Sequence, residues 1–200
     1  MSARYPCVNK QFPWLPRQCP GYHSQHGRFA APNPTGYASH VLIAILSDSH
    51  GRVPAVRRAL AVLEPLRPAA YFHCGDVGGE DVFDEFVGKK LWFVWGNTDS
   101  PDARLRAYLK TVGLPCPDGP VRVELDGRSI AVFHGHERQF ERALLCPDVD
   151  YILHGHTHVR ADYRVGAARV INPGALHRAS VRTVATLDLA ADELRFHEVG

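Results

Sequence analysis

Five times in this 200-residue chain a short apolar run stops abruptly at aspartate, histidine or asparagine. Residues 41–46 (VLIAIL) give way to Ser47-Asp48-Ser49-His50-Gly51. Residues 69–73 run into Cys74-Gly75-Asp76, and 91–95 into Gly96-Asn97-Thr98-Asp99. Residues 129–133 end at His134-Gly135-His136, and 151–153 at His154-Gly155-His156-Thr157-His158. Continuous apolar runs of four to six residues read as buried strands. In α/β sheets, functional groups collect at the carboxyl ends of strands. A chain with this rhythm is constrained to bring several polar strand ends together.

The segments between these runs supply the rest of a fold. Residues 54–63 place Val56, Leu60 and Leu63 at helical spacing. Helices are also expected over 80–87, from Pro101 in the first turn to about Lys110, and over 137–145. The first half therefore reads β-α-β-α-β-α, which calls for parallel strands with crossover helices. In the second half, 121–125 and 129–133 flank Asp126-Gly127, a strong hairpin signal. Further strand-like pieces lie at 159–165, 169–171, 181–187 and 194–197. The expected architecture is α/β: two stacked mixed sheets with helices outside, a four-layer α-β-β-α sandwich.

Residues 1–40 read differently. Six prolines and many Gly, Ser, Asn and Gln residues leave no apolar periodicity there. This segment is expected to be disordered or loosely attached, with a single domain over 41–200. Val41 is a candidate natural start, read from a GTG codon.

Composition narrows the function. The formal charge is +2, too small to point to nucleic acid or an anionic membrane as partner. The longest apolar run, six residues, is far below the roughly 20 of a membrane span. Five scattered cysteines with no C-x-x-C pair fit reduced thiols and a cytoplasmic setting. Histidine is the outlier: seven of the twelve lie between His50 and His158.

Oxygen from Asp and Asn mixed with imidazole suits Mn, Fe, Zn or Ni better than Mg, Ca or a structural zinc. In Asp48-x-His50 and His156-x-His158, alternate side chains of an extended segment point the same way and reach one ion or two. Asp76 is a carboxylate able to bridge two cations.

Six motifs, Asp48-x-His50, Gly75-Asp76, Gly96-Asn97-x-Asp99, His134-Gly135-His136, Gly155-His156-Thr157-His158 and Asn172-Pro173-Gly174, run in one order over residues 41 to about 176. In this the chain resembles the calcineurin-like metallophosphoesterases. The likeness is to their small single-domain bacterial and archaeal branch, which also contains the retromer scaffold subunit of eukaryotes. The resemblance implies a phosphoesterase acting on phosphodiesters first and phosphomonoesters second, through a hydroxide bridging two divalent metal ions, with Mn foremost and Ni, Fe or Zn as other candidates. It implies that Asp48, His50, Asp76 and His158 hold one ion, and that Asp76, Asn97, His134 and His156 hold the other. Its partner is expected to be a small phosphoester substrate.

Two positions depart from that pattern. Thr98 stands where many larger relatives carry a proton-donating histidine, which leaves His136 as the candidate acid. Ala175 replaces the usual serine after Asn-Pro-Gly. A binding scaffold of the same fold is the alternative function, and the complete ligand set favours the enzyme. His73 and His154 read as ordinary polar neighbours of the site, Asp99 as an orienter of loops, Cys74 as strand filler, and His177 and His197 as plain surface or core residues.

Overall fold

A computed structural model describes residues 40–200. The expectation for the preceding segment lies, His40 apart, outside the described residues. His40 itself pairs with Asp188 at 2.8 Å.

Strands β1 (Leu42–Leu46), β2 (Ala70–His73) and β3 (Leu91–Phe93) alternate with helices α1 (Val53–Leu63), α2 (Glu80–Asp84) and α3 (Ala103–Thr111). Then come β4 (Val121–Leu125), β5 (Arg128–Val132), α4 (Arg138–Leu145), β6 (Tyr151–Leu153), β7 (Ala161–Val165), β8 (Ala168–Asn172), β9 (Thr183–Asp188) and β10 (Glu193–Glu198). The first sheet runs β10-β9-β1-β2-β3 and the second β4-β5-β6-β8-β7. β1, β2 and β3 are parallel, as the βα order requires. β5, β6 and β8 are also parallel, so both sheets present carboxyl ends in register.

Side-chain alternation along the strands builds the layers. Ile43, Ile45 and Phe72 point from the first sheet toward Ile130, Val132, Leu153 and Ile171 of the second, forming the inner layer. The alternate residues Ala44 and Leu46 pack outward on Val56, Leu60, Phe83 and Leu109 of α1–α3. On the far side, Ala131, Phe133, Ile152 and Val170 pack against Ala143 of α4, with Phe140 and Leu144 at its edge. The result is the expected sandwich, helices–sheet–sheet–helix. Among the described residues no helix is long and apolar enough to cross a membrane.

Of the boundaries that differ from expectation, three have a visible local cause. α2 ends at Asp84, because Phe86 and Val87 bond back three residues rather than four and the chain then turns at Gly88 with φ 80°. That tightening turns Phe86 fully into the core. α3 begins after Asp102, whose carboxylate caps the Leu105 N–H at 2.8 Å. A carboxylate is the better cap, so Pro101 falls outside the helix. β3 stops short of Trp95, whose indole leaves the ladder to donate to the Pro117 carbonyl.

Candidate metal centre

The loops that follow β1, β2, β3, β5 and β6 meet at one end of the two sheets. Backbone hydrogen bonds zip the first two together: Asp48 N donates to Gly75 O, His50 N to Asp76 O and Gly51 N to Val77 O, at 2.8–3.0 Å. From the second sheet, Gly155 N donates to His134 O, and His156 N reaches across to Asp48 Oδ2 at 3.1 Å. Glycines permit this closeness. A Cβ on Gly155 would lie 1.9 Å from Ser47 Oγ, and one on Gly96 would lie 2.0 Å from Asp76 Oδ1 and 2.3 Å from Asp76 N.

The approach imposes strain. Among the described residues, nine that are not glycine have positive φ, and five of these are Asp48 (56°), His50 (44°), Asp76 (50°), His156 (69°) and His158 (59°). Each such residue costs roughly 1–2 kcal/mol. Strain concentrated on candidate ligands, rather than spread over surface turns, marks a place where function dictates conformation.

All seven sequence-predicted ligands form one connected cluster. Asp48 Oδ1 lies 3.1 Å from His158 Nε2 and 3.9 Å from His50 Nε2. Asp76 Oδ2 lies 3.5 Å from His50 Nε2 and 3.4 Å from His134 Nε2. His134 Nε2 is 3.0 Å from Asn97 Oδ1 and 3.3 Å from His156 Nδ1. Two groupings have the spacing of a cation site: Asp48, His50 and His158, and Asp48, Asp76 and His134. Asp48 as well as Asp76 thus stands between the two halves, which the sequence reading assigned to Asp76 alone.

The arrangement fits cations. His134 Nδ1 faces the Cys74 carbonyl at 2.8 Å, which places the ring proton there. Its Nε2 then faces Asn97, Asp76 and His156: in the protonated ring it donates to Asp76, and in the neutral ring it is bare, lone pair against lone pairs, as a cation requires. Asp48 Oδ1 is buried without any hydrogen-bond donor among the described residues, a costly state for an anionic oxygen unless a cation meets it.

Charge at the centre is set by opposing effects. Burial would raise the Asp76 carboxyl, but hydrogen bonds from His134 and Thr98 outweigh it and hold the group well below the usual carboxylate range. Burial raises Asp48 against the pull of Ser47 and the nearby histidines. Burial lowers His50. His134 is also opposed by burial, yet Asp76, the Cys74 carbonyl and Asp48 raise it on balance.

His136 sits at the exposed rim, its ring 5.4 Å from His134 and 6.1 Å from His156. Asp99 ties loops together as expected, accepting from Val77, Gly78 and Gly96 N–H groups at 2.8–3.1 Å. His73 bonds Ser49 Oγ at 2.9 Å, and His197 bonds Thr186. His177 is not a plain residue: its ring packs 5.5 Å from that of His50. Two positioning groups escaped the sequence reading. Glu137 accepts from His134 N and Gly135 N at 2.8 and 2.7 Å, and Ser47 donates to Asp48 Oδ2 at 2.6 Å. An acid just before a helix, next to His-Gly-His, was the available signal for Glu137.

The Gly96 contact gives a first expectation. Gly96→Ala should destabilise by about 3 kcal/mol, as overpacking against backbone does, and should weaken divalent-cation binding by displacing Asp76. Gly79→Ala, with open space around its Cβ, serves as control. Urea unfolding and cation titration of both would decide. A stable Gly96→Ala protein that binds cations normally would show that the loops have room to spare.

Comparison with known proteins gives the family. Residues 41–192 match the family model of the calcineurin-like phosphoesterase superfamily domain. Phosphodiesterase MJ0936 of Methanocaldococcus jannaschii is 30% identical over 159 residues, 76% of this chain and 96% of that protein. The solved structure of a novel archaeal phosphodiesterase superposes with a TM-score of 0.71 at 29% identity, over 79% of this chain and 99% of its own. YfcE, a phosphoesterase from E. coli, shares the fold at 19% identity with a TM-score of 0.58, over 80% and 100% of the two chains.

Proposed function

The chain belongs to the calcineurin-like phosphoesterase superfamily and is a hydrolase of phosphate esters; from that premise we propose that it cleaves small phosphodiesters at a centre of two divalent cations. Asp48, His50, Asp76 and His158 would hold one ion, and Asp76, Asn97, His134 and His156 the other. The supporting observation is the position of Asp76 Oδ2, 3.5 Å from His50 Nε2 and 3.4 Å from His134 Nε2, so that one oxygen faces both halves. The working domain is read as residues 41–200 and its setting as cytoplasmic.

Two such cations supply charge that acidifies a water and offsets negative charge on the phosphoryl oxygens. The chain's own residues do the rest. Cys74 O fixes the His134 tautomer, and Glu137 pins the loop that carries it. Ser47 and the His156 N–H aim Asp48 by occupying its Oδ2, which leaves Oδ1 directed at His158. Thr98 N–H holds Asp76 Oδ1 at 2.9 Å and so turns Oδ2 to the centre. We assign to His136, exposed beside His134, the protonation of the departing alcohol. Mixed O and N donors suit Mn, Ni, Fe or Zn, and we propose Mn first.

Bis-p-nitrophenyl phosphate tests the reading. Turnover should need added Mn, vanish with chelator and return on reloading. Replacing His136 by Ala should hardly slow release of p-nitrophenol, a good leaving group, yet slow ribonucleoside or alkyl leaving groups by about 10²-fold. A protein that binds two ions per chain but turns over nothing would instead be a scaffold on this fold.

A further inference from the structure

The Asn172-Pro173-Gly174 turn offers no ligand to the cluster, so its work lies elsewhere. Asn172 is fully buried. Its Nδ2 donates to Gly155 O at 2.8 Å and to Thr157 Oγ1 at 3.1 Å, while its Oδ1 accepts from Gly174 N. Thr183 Oγ1 donates to Pro173 O at 2.7 Å, and Leu176 N donates to Ser47 O at 3.2 Å. The turn is therefore fastened both to the His156–His158 loop and to the end of β1 that carries Asp48. Such a hold fixes the residues that follow, His177 and Arg178.

His177 lies ring-to-edge on His50, with centroids 5.5 Å apart. Arg178 is held at φ 54°, the left-handed conformation that the candidate ligands also adopt. Arg52 lies two residues after His50, in a turn closed by its N–H donating to Ser49 O at 2.8 Å, and Arg178 directly follows His177. Half of the described arginines are paired with acids, as Arg57 is with Glu85, Arg122 with Asp148 and Arg169 with Asp162. Among the described residues, the exposed side chains of Arg52 and Arg178 have no carboxylate partner and no hydrogen bond. Two arginines without an acid partner and an imidazole thus neighbour His50, one in its own turn and two in the turn packed on it. Guanidinium matches phosphate oxygens in a bidentate fork.

The geometry points to an anion subsite formed by Arg52, His177 and Arg178, which holds a second phosphate of the substrate beside the one being cleaved. This rests on the phosphoesterase reading of the neighbouring centre. The enzyme then prefers phosphodiesters that carry a further phosphate.

The test compares the p-nitrophenyl ester of thymidine 5′-phosphate with the same compound bearing a 3′-phosphate. The wild-type kcat/KM should favour the 3′-phosphorylated ester by about tenfold, the scale of one exposed charge-assisted contact. That ratio should fall to about one in the Arg52→Ala/Arg178→Ala double variant and recover in part in Arg52→Lys/Arg178→Lys, which keeps charge but loses the fork. A wild-type ratio near one, or a ratio that survives the double substitution, overturns the subsite. Turnover of neither ester defeats the hydrolase reading alone. Calorimetry then judges the subsite: thymidine 3′,5′-bisphosphate should bind about tenfold more tightly than thymidine 5′-monophosphate, and the double variant should lose that difference. Equal binding by the wild type refutes it.

Discussion

Replacing Asp76 by alanine should lower kcat on a phosphodiester by on the order of 10³-fold or more and remove bound metal, because in the proposed centre one side chain serves both halves. The expectation follows from its surroundings. Asp76 Oδ1 is committed to the Thr98 N–H, which frees Oδ2 to face His50 and His134 together. The group stays ionised far below neutral pH, since hydrogen bonds from His134 and Thr98 overcome the effect of burial. Asp76→Asn separates charge from shape: it retains an oxygen for Thr98 and tolerates φ 50°, but loses the negative charge. Both variants should lose the rise in melting temperature that divalent cations give the wild-type protein, because a ligand that no longer binds the native state no longer stabilises it. Metal content, melting temperature and turnover are three separate readouts. An Asp76→Asn protein that still holds two ions and turns over at a wild-type rate would refute the bridging role and leave Asp48, which also stands between the halves, as the shared ligand.

The cluster was legible in the sequence because each candidate ligand directly follows a strand-length apolar run, and parallel strands bring their carboxyl ends together. The hairpin was legible for a related reason: Asp126 and Gly127 both have positive φ, 52° and 71°, as a two-residue turn demands. Other features had no local signal. That β8 lies between β6 and β7 is settled by packing between layers. The left-handed backbone at Asp48, His50 and Asp76 arises from two loops zipped together, and aspartate and histidine do not announce it as glycine would. His177 looked ordinary because it reaches His50 through a turn anchored by Asn172, and that anchor involves residues 15 and 17 positions away. The length of α2 failed for a simpler reason: burial of Phe86 favoured a tighter turn over continued helix.

Acid should unfold the metal-free protein through two histidines outside the proposed ligand set. His73 is wholly buried, with Nδ1 unpartnered among the described residues, and burial, helped by His134, pushes its pKa down to about 3. His154 is 5% exposed, packs against Phe140, and is pushed down to about 4, again mainly by burial. In the unfolded chain both would titrate near ~6.5. Above that pH neither state binds a proton at these sites, and the stability is intact. As pH falls from there toward 4, the unfolded chain takes up two protons that the native state refuses. Each costs ~1.4 kcal/mol of stability per pH unit. Between pH 7.5 and 5 the pair therefore removes about 4 kcal/mol, a large share of the 5–15 kcal/mol typical of a domain. His134, whose folded pKa is raised, works in the opposite direction and offsets part of this loss. The substitution His73→Gln isolates one term, since its amide can still bond Ser49 Oγ but cannot take a proton. Urea unfolding in chelator across that range should give a slope shallower by ~1.4 kcal/mol per pH unit below 6.5, and His154→Phe should flatten it by a similar amount. Slopes equal to that of the wild type would mean that the two imidazoles accept protons in the folded state, and that the interior behind the metal cluster is wetter than the packing of Phe86 and Phe140 around them indicates.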